Sequence, residues 1–277
     1  MPRDRLTSAL LRLRASARRK RRPDLPLTGY PVHTQVPLVD LLTDEQLSEL
    51  NDILPWSCFT VDGRGRRFGQ AAWAGKRVEP QPVPDPRVNR LHEAVDLRDK
   101  HVLEIGCFEG VHTIALAGIA REVTAVDARV ANVVKTIVRC AFYGLHAEVC
   151  VCNVESPNEL ARLSADVVHH VGVLYHLRDP VRHLQGLANI CSTVFLDTHV
   201  ASEKDAVELL EVDGVRYPCR RYLEPPSVFS GIGHEAHWLR LQDIRRILED
   251  SGFPTVEVLE ERAERNGPRA LVLARKA

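Results

Sequence analysis

Several features that define other classes of protein are missing from this sequence of 277 residues. No apolar run approaches the ~20 residues that a membrane-spanning helix needs. The seven cysteines form no CxxC pair, and an odd number without a secretory signal predicts reduced thiols. Acidic and basic residues balance at 37 each, so no global field attracts nucleic acid or an anionic membrane. These absences predict a cytoplasmic globular protein without a membrane span.

Basic residues are concentrated at the start of the chain. Residues 1–23 include the cluster Arg18–Arg22, and Leu6, Leu10 and Leu13 recur at helical spacing. One interpretation is a solvated terminal arm. The other is an anchor for RNA phosphates or for an anionic lipid surface. Both remain open at this point.

We predict three segments: a basic arm over 1–28, a helical and irregular extension over 29–87, and an α/β domain over 88–277 with a cap insertion at about 201–240. Within the extension, Thr43 and Gln46 have the spacing of a capping box at the start of a helix. Asp85-Pro86 offers an N-cap and a first-turn proline for the next helix. The Gly-, Pro- and Arg-rich residues 57–84 predict irregular structure.

After this second helix, apolar strand patterns alternate with helical ones. Such alternation predicts a parallel sheet covered by helices on both faces. Asn266-Gly267 is a hairpin signal between two further strands. The predicted fold is therefore an α/β sheet that is mostly parallel and closes with a C-terminal antiparallel hairpin. The predicted strands are 101–106, 123–127, 148–153, 166–174, 193–198, 255–262 and 269–275.

The first candidate site is Val102–Gly110, where an apolar strand leads to Gly106 and a helix begins at Gly110. Glycines let the backbone approach a ligand, and a helix N-terminus has free N–H groups. A dinucleotide-binding loop would contain GxGxxG, which is absent here. The acids Glu104 and Glu109 disfavour an anionic phosphate and favour a cationic, zwitterionic ligand.

Two further candidate sites follow the next two strands. Asp127 lies 21 residues after Gly106, close to the spacing at which an acid accepts the ribose hydroxyls of an adenosine cofactor. Asn153-Val154-Glu155 follows the next strand and supplies a polar side chain that can address an adenine amino group. The three sites in this order indicate an adenosine cofactor.

Leu103–Gly110, Asp127 and Asn153 resemble the cofactor motifs of class I S-adenosylmethionine-dependent methyltransferases, and the helix and hairpin at 241–275 fit the end of that fold. The resemblance implies S-adenosyl-L-methionine as cofactor and a Rossmann-like seven-stranded sheet of order 3-2-1-4-5-7-6. Together with the finer resemblance below, the motifs predict these cofactor-binding residues: Glu104, Gly106, Cys107, Phe108, Gly110, Asp127, Ala128, Asn153, Val154, Val171 and Tyr175.

A second resemblance is narrower. Val171–Pro180 is similar to the fourth-strand segment of the tRNA wobble-uridine carboxymethyltransferases, and Pro55-Trp56 and Trp238 also look related. This resemblance implies that Tyr175 contacts the cofactor. The carboxymethyl enzymes follow their Pro-Trp with a lysine for the cofactor's extra carboxylate, whereas this chain has Ser57-Cys58. The departure favours ordinary S-adenosylmethionine.

Methyl transfer requires alignment of the nucleophile, exclusion of water and, for some acceptors, removal of a proton. The candidate catalytic residues are His176 after the fourth strand and His199 after the fifth, with Tyr175 beside them. A purely structural role is the alternative for each histidine. His234 and His237 have HxxH spacing but no third ligand, so we predict no metal site.

The favoured function is methyl transfer to an O or N nucleophile of a small-molecule acceptor, for example in specialised metabolism. The first alternative is an RNA-modifying methyl- or carboxymethyltransferase, with the basic arm and Arg64, Arg66 and Arg67 holding phosphates. The second is a non-catalytic scaffold that binds an adenosine cofactor. A nicotinamide oxidoreductase is disfavoured by the glycine pattern. The oligomeric state stays open.

Overall fold

The computed structural model describes residues 22–36 and 41–276, which fall into two compact units. The smaller unit contains the described residues 22–33 and 42–81, and the larger contains 34–36, 41 and 82–276. Most of the predicted basic arm, residues 1–21, lies outside the described residues. Within the described ranges, no helix combines the length and apolarity that a bilayer crossing demands.

The smaller unit begins its regular structure with helix α1, Asp44–Ile53. The predicted capping box is confirmed: the Gln46 amide donates to Thr43 Oγ1 at 3.3 Å, and the Thr43 amide donates to Gln46 Oε1 at 3.0 Å. Strands β1, Phe59–Val61, and β2, Arg67–Gly69, then pair antiparallel. The prediction of irregular structure is wrong for these two strands, because their apolar residues are buried around Trp56.

The larger unit is built on a seven-stranded sheet of order β11-β12-β7-β6-β3-β4-β5. Neighbouring strands from β7 to β5 are parallel, while β12 runs antiparallel to both β7 and β11. The predicted fold class and strand order are confirmed. The strands are β3 His101–Ile105, β4 Glu122–Asp127, β5 Glu148–Val151, β6 Val167–Val171, β7 Thr193–His199, β11 Thr255–Glu264 and β12 Gly267–Arg275.

Among the described residues, six α-helices of the larger unit accompany this sheet. Asp85 caps the first of them by accepting a hydrogen bond from the Arg87 amide at 2.9 Å, and Pro86 occupies its first turn, as the sequence predicts. Strand β7 is buried along its whole length, as expected for a central strand between two helical layers. The helices are α2 Pro86–Ala94, α3 Val111–Ala117, α4 Val130–Phe142, α5 Pro157–Leu160, α6 Pro180–Leu187 and α7 Leu241–Asp250.

The cap, residues 201–240, contains a second sheet of three antiparallel strands in the order β10-β9-β8. These strands are β8 Glu208–Val212, β9 Val215–Leu223 and β10 Glu235–Leu239. Trp238 therefore lies in a strand. His237 is in the same strand, so it does not share a helix face with His234.

Two strand ends differ from prediction at positions that matter for the site. Strand β6 ends at Val171, three residues before the predicted end, because Gly172 turns the chain with a φ of 81°. Leu174–His176 then form one turn of 3₁₀ helix. His199 pairs with Arg269 as the last residue of β7, so it belongs to the strand instead of following it.

Candidate active site

The predicted site residues of the larger unit follow four neighbouring parallel strands. The loop 106–110 follows β3, Asp127 ends β4, Asn153 follows β5, and Tyr175 follows β6. In open α/β sheets, ligands occupy the crevice beyond the carboxyl ends of such strands. The topology thus brings these predicted residues to one edge of the sheet.

The loop after β3 has an unusual backbone. Gly106 has a φ of 78°, and a Cβ built there would lie 2.2 Å from Val173 Cγ2. Phe108, with a φ of 50°, and Gly110, with a φ of 77°, also adopt left-handed conformations. Side chains at the two glycine positions would be strained, because L residues rarely adopt these angles. The sequence therefore needs glycine at 106 for the loop to pass the segment after β6.

Two side chains, one at the end of β3 and one in this loop, turn into the protein. Glu104 is buried and accepts a hydrogen bond from Thr113 Oγ1 at 2.5 Å, and burial raises its pKa. The Cys107 thiol is also buried, and Thr136 Oγ1 lies 3.4 Å from it. At residues 106 and 107, the backbone is therefore the part that can face a ligand.

Glu109 does not face a ligand, as the sequence had suggested it would. Its carboxylate is fully buried and forms an ion pair with Lys135 Nζ at 2.7 Å. Because that charge is neutralised internally, it does not supply the negative loop surface that the sequence suggested. Glu109 therefore gives no support to the prediction of a cationic ligand.

Asp127 holds two loops together. Its Oδ2 accepts hydrogen bonds from the Phe108 amide and from Asn132 Nδ2, both at 3.1 Å. Its Oδ1 accepts one from the Arg129 amide at 2.8 Å. A carboxylate offers about two acceptor positions per oxygen, so Oδ1 retains one for a ribose hydroxyl. The residue expected to bind the cofactor also orders the loop predicted to face it, and Ala128 sits between these anchored residues.

The segment after β5 is fixed by local hydrogen bonds. Asn153 Oδ1 accepts from the Glu155 amide at 3.1 Å, and the Asn153 amide donates to Glu159 at 2.8 Å. The carbonyl oxygen of Val154 accepts from His183 Nδ1 at 3.1 Å. The segment predicted to contact the adenine is therefore a turn held by local hydrogen bonds. The Asn153 side chain takes part in one of them, with the backbone of Glu155.

Tyr175 lies against a cluster of charged residues that sequence reasoning missed. The guanidinium carbon of Arg269 is 5.2 Å from the centre of the tyrosine ring. Arg269 forms an ion pair with the fully buried Asp197, whose carboxylate also accepts from Arg262 at 2.8 Å. Gly172 leaves room beside these groups, since a Cβ there would lie 3.7 Å from the tyrosine hydroxyl. Pairing of β7 with β12 brings these distant charges together.

The two candidate histidines have different surroundings. His176 Nδ1 lies 2.6 Å from Glu224 Oε1, so the ring is held by a carboxylate from the cap. His199 donates from Nδ1 to the carbonyl oxygen of Pro268 at 3.2 Å and stacks on Trp238 with ring centres 4.9 Å apart. Burial and then Arg269 lower the pKa of His199. Of the two, His176 has the arrangement of a base oriented by an acid.

Residues 79–258, more than half of the chain, match the family model described as a methyltransferase domain. The chain belongs to this methyltransferase domain family. The predicted family is therefore confirmed. The sheet order expected for the family is also the order found in the larger unit.

Two curated relatives resemble this methyltransferase chain. A protein from Cellvibrio japonicus described as a tRNA U34 carboxymethyltransferase is 31% identical over 154 residues, covering 54% of this chain and 45% of the relative. One of the same description from Aliivibrio salmonicida is 26% identical over 244 residues, covering 84% of this chain and 66% of the relative. The chain thus spans about half the length of the first relative and about two thirds of the second.

Solved structures also resemble it. The N-terminal domain of EvdMO1 with SAH bound has a TM-score of 0.72 at 24% identity, covering 86% of this chain and 98% of that domain. The crystal structure of EvdMO1 has a TM-score of 0.61, and the likeness covers 47% of that longer chain. At this identity the likeness shows a shared fold.

Proposed function

We propose that this chain transfers a methyl group from S-adenosylmethionine to an oxygen or nitrogen nucleophile of a small-molecule acceptor. The observation that carries the proposal is the carboxylate-held ring of His176, which follows β6, one strand away from the loop 106–110 after β3 and two strands away from Asp127 at the end of β4. A cofactor-binding edge and an oriented base at the same strand ends are the parts that such a reaction needs.

The residues of the site fit this cofactor. Oδ1 of Asp127 has an acceptor position free for a ribose hydroxyl, and the left-handed loop 106–110 exposes backbone instead of bulky side chains. Asn153-Val154 would meet the adenine, and Tyr175 would contact the methionine end. Ser57 and Cys58, both buried in the smaller unit, stand where the carboxymethyl enzymes have a lysine. Ordinary S-adenosylmethionine is therefore the cofactor we propose.

When bound, S-adenosylmethionine supplies a methyl group on a sulfonium, which is a good leaving group. The residues of the chain align the acceptor, exclude water and remove its proton. His176 Nε2 would accept that proton, because Nδ1 is engaged by Glu224. His199 would order the neighbouring aromatic rings, since it is buried against Tyr175 and Trp238 and burial lowers its pKa.

An RNA acceptor is the second candidate, favoured by the description of the two curated relatives. Two of the three arginines that this hypothesis names for phosphate binding are buried within the smaller unit. Arg66 is buried in ion pairs with Asp44 and Asp62, and Arg67 donates to the carbonyl oxygens of Pro26 and Leu25. RNA binding would then depend on the exposed Arg64 and on the basic segment 1–21.

The experiment that tests the proposal is transfer of labelled methyl groups from S-adenosylmethionine to a panel of hydroxyl and amine acceptors, with tRNA included. Because one similar structure was solved in the presence of D-fucose, sugars belong in the panel. Labelling of a small molecule both by the chain of 277 residues and by a variant lacking residues 1–21 supports the proposal. Labelling of tRNA alone, with binding that weakens steeply as salt rises, favours the RNA function. Cofactor binding without labelling of any acceptor favours the non-catalytic scaffold.

A further inference from the structure

The cap supplies an acid to the catalytic edge of the sheet. Glu224 follows β9, its side chain is only 2% exposed, and its Oε1 lies 2.6 Å from His176 Nδ1. A contact this short between a ring nitrogen and a carboxylate is a charge-assisted hydrogen bond. The histidine side chain keeps 17% of its surface exposed, so one part of the ring remains accessible while the acid beside it does not.

The backbone around Glu224 is fixed on both sides. Its amide donates to the carbonyl oxygen of His234 at 2.9 Å, which closes the loop between β9 and β10. Gly231 of the same loop approaches the backbone of His176 so closely that a Cβ there would lie 2.6 Å from the histidine carbonyl oxygen. The acid is thus held by a loop that packs directly on the residue it contacts.

We propose that Glu224 is a positioning residue for His176, holding the proton on Nδ1 and leaving Nε2 as the acceptor of the substrate proton. This inference rests on the proposed methyltransferase function. A buried carboxylate on one ring nitrogen fixes the tautomer and the ring orientation, and it stabilises the imidazolium that forms after proton transfer. The cap therefore contributes a positioning residue to the proposed active site.

The chemical step balances without a further reagent. For a hydroxyl acceptor, the bond from oxygen to the methyl carbon forms as the bond from sulfur to that carbon breaks. The electron pair of the broken bond stays on sulfur, which converts the sulfonium into a neutral thioether. The hydroxyl proton moves to Nε2 of His176, and the resulting imidazolium lies against the Glu224 carboxylate until solvent takes the proton.

Glu224→Gln tests this proposal because it keeps the size of the side chain and removes the charge. The amide can turn its NH₂ toward Nδ1, which would move the ring proton to Nε2 and block the base. The matched control is Glu211→Gln, an exposed glutamate in the same sheet whose partner Arg216 is also exposed. Measurements are kcat, the KM of the acceptor, the affinity for S-adenosylhomocysteine, and the tautomer of His176 by ¹⁵N NMR.

We expect Glu224→Gln to lower kcat by about 10²–10⁴-fold, as loss of a working base does, with cofactor affinity and acceptor KM within about twofold. The NMR signal should show Nδ1–H in the wild type and a different tautomer in this variant. Glu211→Gln should match the wild type in every measurement.

Two results would overturn the proposal. One is wild-type kcat in Glu224→Gln. The other is a fall in kcat that tracks a lower melting temperature, with the His176 tautomer unchanged; Glu224→Ala, which cannot form the hydrogen bond, would then behave in the same way. Failure of the proposed function is distinguishable, because a wild-type protein that neither binds S-adenosylhomocysteine nor transfers methyl groups would remove the catalytic role while the NMR tautomer still reports the pair.

Discussion

Arg129 donates a hydrogen bond to the carbonyl oxygen of Ser230 at 2.6 Å, and it also donates to that of Gly231 at 2.9 Å. The side chain after β4 therefore holds the β9–β10 loop of the cap. Asp127, the predicted ribose ligand, anchors the backbone amide of the same arginine. The cofactor edge and the loop that carries Glu224 are thus connected through one residue.

We predict that Arg129→Met frees the β9–β10 loop. Loss of two charge-assisted hydrogen bonds should raise hydrogen exchange of the amides around Ser230 and Gly231 by about tenfold or more, the effect of roughly 1.4 kcal/mol. Exchange mass spectrometry measures this directly, and Arg216→Met, on an exposed side chain of β9, is the control. Equal exchange in both variants and the wild type would mean that the two hydrogen bonds do not hold the loop.

Asp127→Ala should weaken binding of S-adenosylhomocysteine by about 10- to 150-fold, which corresponds to roughly 1.5–3 kcal/mol for a charged acceptor. The structure adds a second cause, because the carboxylate also orders the amide of Phe108 in the loop. Calorimetry gives the affinity, and Asp205→Ala, in the cap, serves as a control for removal of an acid. An unchanged dissociation constant would place the ribose elsewhere.

His176→Gln should lower kcat by about 10²–10⁴-fold and leave cofactor affinity nearly unchanged. Glutamine is preferred to alanine because removal of the ring alone would leave the buried Glu224 carboxylate without its partner. Tyr175→Phe provides the contrast, since it should weaken cofactor binding first. If His176→Gln melts and turns over like the wild type, the residue has no part in the mechanism, and His199→Gln becomes the next variant to measure.

Buried histidines should make the protein less stable in mild acid. Burial lowers the pKa of His183 to about 4, and it lowers the pKa of His169 and His170 well below the usual value. As pH falls from about 6.5 toward 4, the unfolded chain therefore binds protons that the native chain does not, and the free energy of unfolding decreases. The raised pKa of Glu104 acts in the opposite direction and offsets part of this loss.

For each histidine the loss should reach about 1.4 kcal/mol per pH unit at most. Urea unfolding between pH 7 and pH 4.5 measures it. His183→Gln should flatten the dependence, whereas His146→Gln, at an exposed position, should leave it as in the wild type. The same pH dependence in His183→Gln as in the wild type would contradict a contribution from this buried ring.

The architecture can be predicted from the sequence because the strands of a covered parallel sheet are short and mostly apolar, as in Val194–Leu196. The cofactor loop was accessible for a similar reason, since Gly106 and Gly110 are needed by their backbone angles. The end of β6 was misplaced because Val173 and Leu174 continue the apolar pattern past the turn at Gly172. Periodicity does not report where a buried run leaves the sheet.

The charged residues that hold His176 and Asp197 could not be predicted from local sequence patterns. Glu224 lies 48 residues from His176, and Arg269 lies 72 from Asp197. Neither pair has a local spacing, because the first is created where the β9–β10 loop packs on the turn after β6 and the second by the pairing of β7 with β12. Glu109 shows the converse error: its position in the loop suggested a ligand-facing charge, while the fold turns it inward to Lys135.

Titration calorimetry tests directly whether this chain binds S-adenosylmethionine. The ligands to compare are S-adenosylmethionine, S-adenosylhomocysteine, the carboxylated cofactor and NADH. We predict that S-adenosylmethionine and S-adenosylhomocysteine bind with dissociation constants in the micromolar range, about the usual range for enzyme ligands. We also predict weaker binding of the carboxylated form and no binding of NADH. Absence of heat with both adenosyl ligands, together with binding of NADH, would contradict it.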